Sequence, residues 1–138
     1  MTYPSSNDYL RETVLSATPA QLVTMLYDRL LVDLARAEAC QVEGDWAGAG
    51  THLLHAQDIV TELSNSLDVE AWSGGRDLLA IYTYVGSRLI AANVQRDVEI
   101  TRECSAHLGP LRWAWLAAAE SLATSAPGTS EQSIAVVA

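Results

Sequence analysis

The sequence predicts an all-α chain folded as an antiparallel up-down-up-down four-helix bundle, with a short N-terminal helix or arm and a disordered C-terminal tail. Three observations predict it. Four long segments repeat apolar residues by alternating steps of three and four, the connections between them are short, and 138 residues with 49% hydrophobic content suffice for one packed core but not two.

The first helix starts at Ser16-Ala17-Thr18-Pro19-Ala20-Gln21. Thr18 can accept a hydrogen bond from a free backbone N–H, Pro19 presets the first turn, and Gln21 can reach back to complete a capping box. A wide apolar arc then runs through Leu22, Met25, Leu26, Leu30, Leu31, Leu34 and Ala37, and Gly44-Asp45 stops this helix and caps the next. In the second segment Trp46, Ala49, Leu53, Ala56, Val60, Leu63 and Leu67 form one seam, and no strand pattern competes there. After a break at Ser73-Gly74-Gly75, Leu78, Tyr82, Val85, Leu89 and Ala92 form the third seam.

Asn93 to Asp97 makes a polar turn, with Asp97 as the cap of the last helix. The fourth seam is Thr101, Cys104, Leu108, Leu111, Trp115, Ala118 and Leu122. Gly109-Pro110 interrupts it, and because the seam resumes in phase the proline predicts a kink and not a terminus. Residues 1–15 form the arm, in which Tyr9, Leu10, Val14 and Leu15 can pack as a short helix on the bundle. Residues 16–123 form the bundle, and the polar stretch that opens residues 124–138 predicts a disordered tail.

The net charge is −9, and all eight basic residues are arginines. Without lysine there is neither Schiff-base chemistry nor a phosphate-loop lysine. The acidity disfavours nucleic acid and anionic membrane surfaces, which leaves a protein as the expected partner. Cys40 and Cys104 are read as reduced core thiols. The N-terminus lacks the pattern of a signal peptide and no apolar run approaches bilayer length, so the expected compartment is the cytoplasm, without membrane insertion.

The sequence holds no pattern that points to a catalytic or metal site. A bundle di-metal site needs Glu-x-x-His pairs, yet Ala49, His52 and Cys104 stand three residues before His52, His55 and His107. His52 and His55 share a face but supply only two ligands, and Cys104 with His107 lacks an orienting third group. Asp58 and Glu62 read as a solvated acidic face. No catalytic residue, metal or cofactor is expected.

The aromatics say more. Trp46, Tyr82 and Trp115 fall on core seams, whereas Tyr27, Tyr84, Leu54, Ile59, Leu79, Ile81 and Ile90 fall off them. Either this surplus meets a partner, or the bundle buries a stripe wider than its seams.

These residues resemble the flagellin export chaperone family known as FliS, from Tyr9 to about Trp115. The resemblance is carried by Tyr9 and Val14 before Ser16-Ala17-Thr18-Pro19, then by Leu22 and Met25-Leu26-Tyr27-Asp28. It continues through Gly44-Asp45, Ala56-Gln57-Asp58-Ile59-Val60, Leu63, Ser66-Leu67-Asp68, Leu78, Ile81-Tyr82-Thr83-Tyr84, Leu89 and Ala92-Asn93. Trp72-Ser73-Gly74-Gly75 and Pro110-Leu111-Arg112 look like the actinobacterial branch. Two positions depart from the pattern: Arg29 stands where many members have glycine, and Thr18 replaces a common serine.

The resemblance implies a helical bundle that is not an enzyme. It implies a cytoplasmic chaperone that holds the C-terminal segment of flagellin, prevents early polymerisation and delivers the client to the flagellar type III export gate. With the apolar surplus it yields the expected partner-binding residues Tyr9, Val14, Met25, Tyr27, Leu54, Ile59, Ile81, Tyr82, Tyr84 and Asn93. A helical adaptor or self-assembly protein without flagellin specificity is the alternative.

Overall fold

The computed structural model describes residues 19–71 and 73–125, with side chains as far as residue 118. Four helices follow one another: α1 (Pro19–Val42), α2 (Trp46–Ser66), α3 (Gly75–Val94) and α4 (Val98–Ser125). Each packs on its neighbour in sequence and α4 closes the ring on α1, which gives the expected four-helix bundle. The arm with Tyr9 and Val14, the Thr18 cap, Trp72 and the tail beyond Ser125 lie outside the described residues.

The seams of α2 and α3 sit where the spacing puts them. Ala49, Leu53, Ala56, Val60 and Leu63 are buried, and so are Tyr82, Val85, Leu89 and Ala92. On α1 the expected arc and the buried face share Leu30, Leu34 and Ala37 but differ in the first turns. Its buried line is Val23, Tyr27, Leu30, Leu34, Ala37 and Gln41, while Leu22 and Met25 are only half-buried. The apolar arc is wide enough for either face, and the buried choice gives the hydroxyl of Tyr27 a hydrogen-bond partner in Tyr82 of α3.

Four side chains thereby depart from expectation. Tyr27 and Ile59, expected off the seams, are core residues at 2% and 5% exposure, because the buried stripes of α1 and α2 are broader than one seam. Trp46, expected in the core, is half-buried at the first position of α2, with the Arg96 guanidinium 5.7 Å above its ring. Cys40 is half-buried in the last turn of α1, whereas Cys104 is a core thiol as expected.

The turns follow from local chemistry. Asp45 accepts from the Gly48 N–H at 2.9 Å as the cap of α2, and Asp97 accepts from the Glu99 N–H at 2.9 Å at the start of α4. Helix α1 ends with Gly44 at φ +79°, which lets Asp45 N–H reach the Cys40 carbonyl at 2.8 Å. The end of α3 repeats this closure, from Asp97 N–H to the Ala92 carbonyl at 3.2 Å, with Arg96 at φ 53° where glycine is favoured. Helix α3 thus runs to Val94, and the polar turn shrinks to residues 95–97. Gly75 is needed for another reason: a Cβ there would overlap the Val69 backbone.

Helix α4 runs through Pro110 without ending. The carbonyl that loses its partner belongs to Ala106, and both residues face solvent. Inside the bundle, Gln41 links three helices, accepting from Thr101 at 2.7 Å and donating to the Ala92 carbonyl at 3.3 Å. The sequence offered no sign of Asp33, a fully buried carboxylate on α1. One of its oxygens contacts His55 Nδ1 of α2, and the other is 3.3 Å from Arg29 Nε without an aligned hydrogen bond. That is where the departure at Arg29 finds its structural use.

Candidate functional site

The seams outrun the cover of the bundle. Near the N-terminus of α1 the core residues Val23, Tyr27, Leu63, Leu67 and Tyr82 lie beneath Leu78, Leu111 and Trp115, which are only half-buried. Together with Ser66, Ala114 and Ala118 they line a groove of about 410 Å³. Leu78, Leu111 and Trp115 carry the same threes-and-fours spacing as the core, but at this end there is no further helix among the described residues to bury them.

The walls are held by specific bonds. Trp115 Nε1–H donates to Thr24 Oγ1 at 3.1 Å and leans on the Ala20 carbonyl at 3.4 Å, which fixes α4 to the first turns of α1. Outside the groove Arg112 pairs with Asp28 and Arg102 with Glu38, adding two further α4–α1 ties. At the floor the hydroxyls of Tyr27 and Tyr82 are hydrogen-bonded to each other. Burial, and then the adjacent Tyr82, hold the Tyr27 phenol far above its ordinary range; burial raises Tyr82 too, against an opposing pull from its bond to Tyr27. Both are neutral hydrogen-bonding groups at physiological pH.

Of the residues expected to bind a partner, the structure brings Tyr27 and Tyr82 together in this groove. Met25 and Ile81 are half-buried, and Ile81 packs against the core. Ile59 is buried in the core and does not line the groove. Leu54 and Tyr84 are exposed, at 55% and 46%, on other faces of the bundle. Tyr84 donates to Glu103 at 3.0 Å and meets His107 edge-on, while Asn93 lies against Gly50 near the opposite end. The groove residues that sequence reading missed as a site, Leu63, Leu67, Leu78, Leu111 and Trp115, were visible only as seam. The available signal was that the α4 seam is long for its partners.

The chemistry is that of a binding surface. The Cys104 thiol is pushed up to about 11 by burial, and among the described residues no three His, Cys, Asp or Glu side chains cluster to hold a metal ion. No helix among the described residues is long and apolar enough to cross a membrane.

The family model described as flagellar protein FliS matches residues 1–122. The chain belongs to the FliS family. It is 35% identical over 108 residues to the flagellar secretion chaperone FliS of Escherichia coli K12, covering 77% of this chain and 79% of the relative. The flagellar secretion chaperone FliS of Bacillus subtilis 168 is 29% identical over 117 residues, covering 82% and 84%. That of Salmonella typhimurium is 33% identical over 110 residues, covering 77% and 80%. FliS proteins are chaperones and not enzymes, in keeping with a site made of apolar walls and neutral hydroxyls.

Proposed function

We propose that the protein is a cytoplasmic export chaperone that binds the C-terminal segment of flagellin, keeps it from polymerising and presents it to the flagellar type III export gate. The observation that carries this reading is the apolar groove at one end of a FliS-family bundle, lined by seam residues from all four helices that no further helix covers among the described residues. A client segment with coiled-coil spacing supplies that cover. Such a helix-in-groove complex buries apolar surface while its ordering cost keeps it reversible. No bond is made or broken, so release needs only a competing surface at the gate.

The chain enters α1 at Pro19, one turn before Val23 in the groove. In this reading the arm of residues 1–15, with Tyr9 and Val14, covers part of the groove until the client displaces it. Leu54 and Tyr84 extend the client's path along the outer faces. The test is capture of flagellin by the purified protein, set against flagellin lacking its C-terminal segment. Retention of the whole protein and loss of the truncated one is expected, and equal retention of both contradicts the reading.

A further inference from the structure

The groove is apolar on its walls but not at its floor. Among its lining residues, the polar side chains are Ser66, Trp115, Tyr27 and Tyr82. Ser66 already donates to the Leu63 carbonyl at 3.0 Å, and the Trp115 N–H is engaged by Thr24 and Ala20. The two phenols carry two O–H protons between them. Their mutual bond uses one, and neither hydroxyl has another partner among the described residues. One phenolic O–H is thus the uncommitted side-chain donor at the floor of the groove, on rings that line it while being themselves only 2% and 3% exposed.

We infer that this second phenolic proton is the polar anchor of the groove and donates to a neutral oxygen acceptor on the client segment. The inference rests on the flagellin reading above and specifies how that site chooses register. Carbonyls inside a helix are already bonded, so the acceptor is one of the last carbonyls of a client helix or a side-chain amide or hydroxyl oxygen. A carboxylate is excluded by the cost of stripping its water in an apolar cleft. A client that slides by one residue places a methyl group over the O–H and leaves a buried donor unpaired, which a purely apolar groove does not penalise.

The test is calorimetric titration of a peptide with flagellin's C-terminal sequence into the full chain and into the double variant Tyr27→Phe/Tyr82→Phe. Removing both hydroxyls together keeps the ring shapes and strands no partner, so the fold is retained. The expected result is about 3- to 10-fold weaker binding, the loss of one neutral hydrogen bond. A parallel readout needs no variant: by proton NMR the free protein shows one phenolic proton of this pair protected from exchange, and the complex shows both. Unchanged affinity in the double variant, or a second proton that still exchanges freely in the complex, overturns the anchor while leaving the flagellin reading intact. A peptide that does not bind the unaltered protein overturns both.

Discussion

The indole N–H of Trp115 donates to the Thr24 hydroxyl across 3.1 Å, tying the second half of α4 to the second turn of α1. Thr24 in turn donates to the Ala20 carbonyl at 3.1 Å, so a side chain 91 residues away in sequence is locked to the start of α1 through two bonds. This connection sets one wall of the groove.

Trp115→Phe keeps most of the ring and removes the donor. It is expected to lower stability by about 1 kcal/mol, the usual net value of one hydrogen bond. Urea denaturation followed by circular dichroism measures this, and an unchanged midpoint means that packing alone holds the wall.

The two matched helix ends make opposite predictions. Gly44→Ala forces a Cβ into positive φ with nothing near it to clash, so its cost is purely conformational, about 1 kcal/mol. Arg96→Gly relieves that same cost at the end of α3 but removes the cation above Trp46, which contributes about 0.5 kcal/mol at an exposed site. The melting midpoint should therefore fall with the first substitution and stay level or rise slightly with the second.

The thiols should separate by accessibility. Cys40 is half-buried and Cys104 fully buried with its thiol pushed up to about 11, so a thiol reagent at neutral pH labels Cys40 well before Cys104, as peptide mass spectrometry reads out. Stability should also fall on the alkaline side. Below the ordinary thiol value of about 9 the Cys104 proton is bound in both folded and unfolded chains, so that range is flat. As pH rises from there to 11, the unfolded thiol ionises while the folded one stays protonated, so unfolding becomes easier.

Most of the fold was legible because periodicity and caps act locally. The α2 and α3 seams, Gly44, Asp45 and Asp97 need only neighbouring residues to be read. The buried side of the first turns of α1 was not legible, because Leu22, Met25 and Leu26 are as apolar as Val23 and Tyr27. The buried face gives Tyr27 a hydrogen-bond partner in Tyr82, 55 residues away, which local spacing does not reveal. Asp33 was hidden for the same reason, since its partner His55 belongs to another helix. The site was half legible: Tyr27 and Tyr82 carry the family resemblance, but Leu111 and Trp115 look identical to core until the structure shows them only half-buried, with no further helix over them among the described residues.

Deleting residues 1–15 tests whether the arm shields the groove. The shielding account predicts tighter binding of the flagellin segment and more self-association, because an uncovered apolar cleft is available to both. Weaker binding, seen by calorimetry with no change in sedimentation, means that the arm contacts the client instead.

The central claim is that the apolar groove is where flagellin binds, and filling that groove tests it most directly. Ala118 is exposed and lines the groove, so Ala118→Trp occupies the cleft without disturbing the core. Titration of flagellin's C-terminal segment into this variant should show at least about a tenfold loss of affinity, some 1.4 kcal/mol, while the melting midpoint stays within a few degrees. Full affinity in the filled variant would contradict the account and move the client to another face of the bundle.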